Sequence, residues 1–151
     1  KVNSETNINF VQVDTVGPDT AMLLKQKVDD GEFVAIVGDR IPIDDNARFL
    51  QVPFLGCDAG FPMGPFILAA LLRCPVYTLF CIKHDGGYQV DVEFFAERLQ
   101  LARKSREADL KGYIVQYAEI LQRYSLQYPY QWFNFYRFWG LPTPIEKKQK
   151  A

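Results

Sequence analysis

A strand, a helix and a second strand follow one another within the first forty residues, and this order constrains the fold more than any other feature. Residues 7–14 read NINFVQVD and residues 32–38 read EFVAIVG, both rich in β-branched and aromatic side chains. Between them, residues 21–30 have a helical pattern that Gly31 ends. Strands joined through a helix are parallel with a right-handed crossover. The sequence therefore predicts an α/β fold with a mixed, largely parallel sheet and flanking helices.

The rest of the chain continues this alternation. A strand is predicted over 48–55, where Pro53 indicates an edge or a strand end, and GCDAGFPM over 56–63 is typical of a loop. An apolar helix begins at Pro65, and KHDGG joins two strands into a hairpin. A last helix from about 105 to 127 has one apolar stripe. We expect one domain over residues 1–140 and a solvated tail over 141–151.

Composition narrows the class of function. The 151 residues carry a net charge of −1, which gives no global electrostatic reason to expect a nucleic acid partner. The longest apolar run, over 64–82, is cut by Arg73 and Pro75 into pieces too short to span a membrane. No signal peptide is recognisable. The chain begins without Met, and we expect it to have been cut from something longer.

Metal and nucleophile chemistry have little support. The three cysteines, Cys57, Cys74 and Cys81, lack CxxC spacing, and His84 is the single histidine. We predict no metal site and expect the thiols to be buried in a reducing cytosol. A GxSxG elbow and a phosphate-binding GxxxxGK[ST] loop are both absent. His84 lies in the predicted hairpin turn, where solvent exposure is the expectation.

Residues 128–139, YPYQWFNFYRFW, contain eight aromatic side chains in twelve positions. Eight exposed rings would present well over ~1,000 Å² of apolar surface, so most of this segment needs cover. We expect Trp132, Phe133 and Phe135 to close the core. We expect some of the remaining rings to face a lipid or a membrane interface, namely Tyr130, Tyr136, Phe138 and Trp139. A role for the whole segment in the core is the alternative.

Gly38, Asp39 and Arg40 follow the predicted strand 32–38. Ligands of open α/β sheets lie beyond the carboxyl ends of parallel strands, so these residues are the candidate site. Gly38 would admit close backbone approach, Asp39 would orient a hydroxyl or amine, and Arg40 would bind phosphate or carboxylate. The alternative is a turn with a local Asp–Arg ion pair.

Three stretches read together resemble a known family: GEFVAIVGDRIPI, VPFLGCDAGFPMGPFILAALLRCPV and YPYQWFNFYRFW. Over residues 8–139 the chain resembles the lysophospholipid acyltransferase superfamily, and within it the bacterial lipid A biosynthesis (late) acyltransferases. The resemblance implies transfer of an acyl group from an acyl carrier protein or coenzyme A thioester to a hydroxyl or amine. Asp39 matches the second acidic motif of that family, whereas Arg40 replaces a glutamine common in lipid A enzymes.

The catalytic H-x4-D motif of that family is missing. Five positions after His84 stands Gln89, and the chain has no other histidine. A positioned general base contributes on the order of 10²–10⁴-fold to a rate, so this chain alone is expected to be nearly inert. It is then the carboxy-terminal portion of an acyltransferase whose base lies upstream of Lys1. Asp39 would be a supporting residue, and the substrate-binding set would be Gly38, Asp39, Arg40, Phe54, Gly56, Phe61 and Gly64.

The resemblance also implies partners and a location. No bound cofactor is expected, because the thioester is a co-substrate. The expected partners are a lipid-type acceptor, the acyl donor, the upstream part of the same protein, a membrane surface and a second copy joined through an exposed sheet edge. The expected location is cytoplasmic, peripheral to the inner membrane. The alternative function is a non-catalytic lipid- or partner-binding module of the same fold.

Overall fold

The computed structural model describes residues 17–41, 47–135 and 138–140, and the chain divides into two compact units, Lys1–Val34 and Ala35–Ala151. In the first unit, helix α1 spans Pro18–Asp29. Pro18 suits its first turn, and Gly31 follows its end at a φ of 87°, which confirms the predicted helix and its stop. The predicted strand over 7–14 lies outside the described residues.

The second unit contradicts the predicted sheet. Its described residues form two separate two-stranded antiparallel sheets and two helices, so the expectation of a largely parallel sheet with flanking helices is wrong. Its elements are β1 (Phe49–Phe54), β2 (Cys57–Pro62), α2 (Gly64–Leu72), β3 (Val76–His84), β4 (Gly87–Ala96) and α3 (Arg106–Gln127).

Residues 32–38, predicted to form a central strand, have no regular secondary structure. A buried central strand needs a pairing strand on each side, and no described strand pairs with this segment. Ile36 and Val37 are exposed as a result, and Phe33 is fully exposed in the adjoining part of the first unit. The apolar composition therefore predicted burial wrongly, because composition does not identify the partner strands that burial requires.

The first hairpin was only half predicted. β1 lies where a strand was expected, but residues 57–62, predicted as a loop, form β2. Leu55 and Gly56 connect the strands with φ values of 50° and 83°, the two-residue turn whose twist suits a hairpin. The Leu55 N–H donates to Oε1 of Gln122 on α3 at 2.6 Å, which fixes this turn against the helix.

The core forms between this hairpin and the long helix. The predicted apolar stripe of α3 is confirmed, with buried side chains at three- and four-residue steps: Leu110, Ile114, Ala118, Leu121 and Tyr124. Val52, Phe54 and Phe61 of the hairpin are fully buried in the same core cluster. No helix in the described part of the chain is long and apolar enough to cross a membrane.

The second hairpin, predicted correctly, has an unusual distribution of side chains. Asp85 and Gly86, both at positive φ, form its turn. On one face, the Tyr124 hydroxyl of α3 donates to Asp91 and Glu93 of β4, at 3.1 and 2.8 Å. The opposite face is exposed and apolar, with Tyr77, Leu79 and Cys81 on β3 and Tyr88, Val90, Val92 and Phe94 on β4.

Polar contacts and one ring stack hold this hairpin to α3. The rings of Phe80 and Tyr124 stack with centroids 4.0 Å apart. Nη2 of Arg123 donates to Oε2 of Glu93 at 2.6 Å. Burial, followed by the hydrogen bonds to Glu93 and Asp91, raises the pKa of the Tyr124 phenol, which therefore remains a donor at neutral pH.

We predict that Glu93→Gln lowers stability at pH 7 by at most about 1 kcal/mol, as for an exposed ion pair, and that the difference shrinks in acid. The hydrogen bonds from Arg123 and then Tyr124 lower the pKa of Glu93 below its ordinary value of 4.5. A depressed carboxyl pKa stabilises the fold above the unfolded pKa, and this contribution is lost as the pH falls through the folded pKa. Denaturant titration at pH 7 and at about pH 3.5 tests this.

The matched control for this prediction is Glu97→Gln, which removes an exposed carboxylate that has no hydrogen bond or ion pair to a described residue. That variant should unfold like the parent at both pH values. If Glu93→Gln and the parent differed equally at both pH values, the ion pair would not be the cause.

Candidate functional site

The Asp39 side chain lies against the terminal aromatic segment, although no strand delivers it there. It is 13% exposed. Nε1 of Trp132 donates to its Oδ2 at 3.1 Å, across 93 positions of the chain. Burial, and secondarily the Asp39 charge, raises the pKa of the Tyr117 phenol on α3. The mostly buried carboxylate thus accepts a hydrogen bond from an indole and acts electrostatically on a phenol that stays neutral.

Arg40 joins Asp39 to the same segment. Its Nη2 donates to the backbone carbonyl of Phe133 at 2.7 Å, and its Nε lies 3.7 Å from Oδ1 of Asp39. The local Asp–Arg pair considered as an alternative is therefore present. Because the Arg40 side chain is 43% exposed, the pair contributes little to stability, and the guanidinium can be reached from solvent.

Gly38 has a different role from the one predicted. A Cβ at this position would lie 2.9 Å from Cζ of Tyr117 and 3.0 Å from its hydroxyl oxygen. The space beside Gly38 is therefore filled by the Tyr117 ring, not by a ligand. Gly38 permits the chain that carries Asp39 to pass close to α3.

Phe54 and Phe61, predicted to line the substrate wall, are fully buried. Phe61 meets the Tyr117 ring edge-on at 6.2 Å, and Phe54 meets Trp132 at 5.2 Å. Both phenylalanines therefore support the two rings that contact the Asp39 region. A ligand could touch them only if the core opened.

Gly56 and Gly64 lie apart from these contacts. Gly56 occupies the β1–β2 turn at a φ of 83°, and Gly64 is the first residue of α2. Neither has another residue within 4 Å of the position that a Cβ would take. Of the predicted set, the structure thus gathers Gly38, Asp39 and Arg40, places Phe54 and Phe61 behind the rings that contact them, and leaves Gly56 and Gly64 elsewhere.

The aromatic segment divides differently from the prediction. Phe138, expected at a lipid-facing surface, is buried and contacts the Phe54 ring at 5.5 Å. Trp139 stacks on Phe54, and its Nε1 donates to the Phe54 carbonyl at 3.3 Å. Trp132 does pack against the core as expected. Tyr136 lies outside the described residues.

Among the described residues of this segment, three rings are exposed. Phe133 and Phe135, expected to close the core, are 63% and 90% exposed, and their ring centroids lie 6.2 Å apart. Tyr130 is 92% exposed. The sequence could not separate inward from outward rings, because residues 128–135 form no helix or strand and so have no side-chain period.

The sequence did not predict one pair of hydrogen bonds made by the aromatic segment. The amide of Gln131 accepts from the Lys83 N–H at 2.7 Å and donates to the Lys83 carbonyl at 3.0 Å. This pair of bonds attaches the tip of the β3–β4 hairpin to the aromatic segment. At the same tip, Nδ1 of His84 lies 3.0 Å from Oδ2 of Asp85, with both side chains largely exposed.

The cysteines and the possible metal ligands of the described residues were also compared with the predictions. The thiols of Cys57 and Cys81 are exposed and that of Cys74 is partly exposed, so the expectation of buried thiols is wrong; all three are free. No group of three or more metal-ligating side chains occurs in the described part of the chain. Comparison with known proteins found no matching protein family, no matching curated protein and no matching solved structure.

We predict that Gly38→Ala disturbs the site while Gly64→Ala does not. The added methyl group at position 38 would contact the Tyr117 ring, whose own position is fixed by Phe61 and Phe66. We expect a loss of roughly 1–3 kcal/mol of stability, the range for overpacking. At position 64 the methyl group enters open space at a helix start. Denaturant titration and tyrosine fluorescence would measure both, and equal behaviour of the two variants would contradict the close Gly38–Tyr117 contact.

Proposed function

We propose that this chain is the carboxy-terminal portion of an acyltransferase. The reaction would move a fatty acyl group from an acyl carrier protein or coenzyme A thioester to a hydroxyl or amine of a lipid-type acceptor. The proposal rests on the family resemblance and on one juxtaposition of side chains in the structure. It does not depend on the parallel sheet, which the structure excludes for the described residues.

The supporting observation is that a charged pair adjoins exposed aromatic rings. Arg40 donates to the backbone of Phe133, and Trp132 donates to Asp39. The exposed rings of Phe133 and Phe135 therefore stand next to a carboxylate and a guanidinium. A lipid has this same division into a polar head group and an apolar chain, so Arg40 and Asp39 would contact the head group and the rings would contact the chain.

The roles of the two charges differ. Arg40 presents a forked cation that suits a phosphate or carboxylate on the acceptor. Asp39 would accept a hydrogen bond from the acceptor hydroxyl or amine and orient it toward the thioester. The exposed rings would place this part of the molecule at a membrane interface, in keeping with a peripheral position on the cytoplasmic face of the inner membrane.

The proton of the acceptor needs a general base, and in the family that the chain resembles this base is a histidine. His84, the single histidine, is exposed in a hairpin turn and pairs with Asp85. The proposed base is therefore an H-x4-D histidine upstream of Lys1. Residues 1–151 alone would then be inactive. Upstream and downstream parts would form the complete site together.

We predict that a longer protein containing an upstream H-x4-D motif transfers acyl groups, and that Asp39→Ala lowers its rate by roughly a hundredfold or more, because the acceptor loses its orientation. Acyl transfer from a radiolabelled thioester to extracted membrane lipid measures the rate. Asp39→Asn keeps the shape of the side chain and serves as a second variant in case Asp39→Ala unfolds.

Asp58→Ala is the matched control for this experiment, since Asp58 is an exposed carboxylate on β2 with no side-chain partner among the described residues. It should retain the parent rate. Full activity of a folded Asp39→Ala protein would remove Asp39 from the site, and an inactive parent protein would reject the acyltransferase.

A second candidate function is a non-catalytic partner-binding module, and the exposed face of the β3–β4 hairpin favours it. Cross-strand pairs on this face join Tyr77 to Phe94 and Leu79 to Val92. Its three aromatic rings are 55–76% exposed, which amounts to on the order of 400 Å² of apolar surface. With four further apolar residues the face approaches the ~800 Å² per partner of a stable interface.

The occupant that fits this face is a second copy of the chain. The centre of the face has no charge, and an isologous contact between two identical apolar faces leaves no charge unpaired. The outer edges of β3 and β4 have no strand partner among the described residues. They therefore also provide the exposed sheet edge through which pairing was expected.

We predict that the chain associates in a concentration-dependent manner and that Leu79→Thr combined with Val92→Thr shifts it toward monomer, because both changes remove apolar surface from the centre of the face. Light scattering over a concentration series measures this. Leu126→Gln removes comparable apolar surface from α3, where Leu126 is exposed, and should leave association unchanged. A parent chain that stays monomeric at all concentrations would reject this candidate.

A further inference from the structure

An open hollow of about 400 Å³ lies where the end of α2, the loop after β4 and the start of α3 meet. Its volume is within the range of about 300–1,000 Å³ typical of small-molecule sites. Aliphatic side chains line one part of it, including those of Ile67, Ala70 and Leu101. Trp132 and Arg40, which contact Asp39, do not line this hollow, and neither does Asp39 itself.

Three arginines line the same hollow: Arg73, Arg98 and Arg106. Among the described residues, no carboxylate lines it, and none forms a hydrogen bond or ion pair with any of the three guanidinium groups. Asp109, an acidic residue in the first turn of α3, accepts hydrogen bonds from the Ala102 N–H and from Ser105 Oγ instead. Three cations around one concavity repel each other unless an anion joins them.

The backbone around the hollow is held in place. The N–H of Gln100 donates to the Tyr113 hydroxyl at 3.2 Å, and the Asp109 bonds fix the loop that follows. Leu99 is buried beneath the loop. The backbone of the loop between Arg98 and Arg106 is therefore held before any ligand arrives, which reduces the ordering that binding requires.

Arg73 has a strained backbone at this place. It ends α2 at a φ of 52°, a left-handed conformation in which glycine is normally found. A non-glycine residue in this region is strained and often marks a functional position. Its guanidinium has no described partner to compensate for that strain. A ligand held by the guanidinium would explain why arginine occupies this position.

We propose that this hollow binds a phosphate monoester attached to a short apolar group. A phosphate monoester carries a charge of about −1.5 to −2 at pH 7 and three acceptor oxygens, which suits several arginine forks better than a single carboxylate does. The aliphatic wall formed by Ile67, Ala70 and Leu101 would contact the apolar group. This proposal is independent of the acyltransferase and of Asp39.

The proposal is tested by titrating the chain with hexyl phosphate and measuring binding by isothermal titration calorimetry. Binding should weaken about tenfold or more in Arg98→Gln and in Arg106→Gln, the loss expected for a charge-assisted hydrogen bond. The matched control is Arg103→Gln, because Arg103 is an exposed arginine of the same loop that does not line the hollow. Hexanol and hexanoate should bind much more weakly than hexyl phosphate.

Arg73→Gly separates binding from folding. Glycine adopts a φ of 52° without strain, so this variant should unfold at the same or a higher denaturant concentration than the parent. It should nevertheless bind hexyl phosphate about tenfold more weakly, since it lacks one of the three cations. Weaker binding together with undiminished stability is a result that a purely structural arginine would not give.

Vesicles containing phosphatidic acid identify the source of the phosphate. Cosedimentation that Arg98→Gln reduces and Arg103→Gln does not would indicate a lipid head group. Binding of hexyl phosphate without vesicle binding would indicate a free metabolite. The proposal is overturned if hexyl phosphate does not bind, or if Arg103→Gln weakens binding as much as Arg98→Gln does, because the attraction would then be unspecific.

Discussion

The packing of four aromatic rings around Phe54 is the interaction on which the second unit depends. Phe61, Trp132, Phe138 and Trp139 all lie within about 6 Å of the Phe54 ring centroid, in edge, tilted or stacked arrangements. These rings come from β1, β2 and the terminal segment, so a single side chain joins parts of the chain 85 positions apart. The Asp39 region depends on this cluster too, because Trp132 both packs on Phe54 and donates to the carboxylate.

In the second hairpin, the polar residues of an alternating strand face the helix and the apolar residues face away from it. In β4, alternate residues are apolar, and such alternation normally directs the apolar set toward the core. Here Asp91 and Glu93 face α3, where Tyr124 and Arg123 supply their hydrogen bonds. The apolar set is consequently exposed. The same strand register therefore has two consequences. The carboxylates on the helix side have hydrogen-bond donors, and the apolar side chains on the other side have no cover among the described residues.

The sequence predicted local elements well and long-range pairing poorly. The helices and the β3–β4 hairpin depend on neighbouring residues: Pro18 and Gly31 bound α1, and Asp85-Gly86 specifies a turn. The strand expected at 32–38 needed partners distant in the chain, and an apolar run does not identify them. β2 was taken for a loop because glycine and proline obscure its alternation, although Leu55-Gly56 supplies the turn signal.

The candidate site was predicted only in part, because its local residues could be read from the sequence and its distant neighbours could not. Gly38, Asp39 and Arg40 are adjacent in sequence, so their grouping was certain, but their true neighbours are Tyr117, Trp132 and Phe133. No local pattern links position 39 to position 132. Phe54 and Phe61 were correctly associated with this region yet assigned to its surface, since composition does not distinguish a ring that lines a site from one that supports it.

The two candidate sites differ in electrostatic character, and this difference bears on what each can bind. Arg40 lies beside Asp39, so their charges largely cancel, and selectivity there must come from hydrogen-bond geometry and from the exposed rings. The three arginines of the hollow have no such compensation among the described residues, so attraction for an anion extends over about a Debye length, ~8 Å at physiological salt. The hollow is thus suited to capturing charge, whereas the Asp39–Arg40 pair is suited to orienting a polar group already delivered.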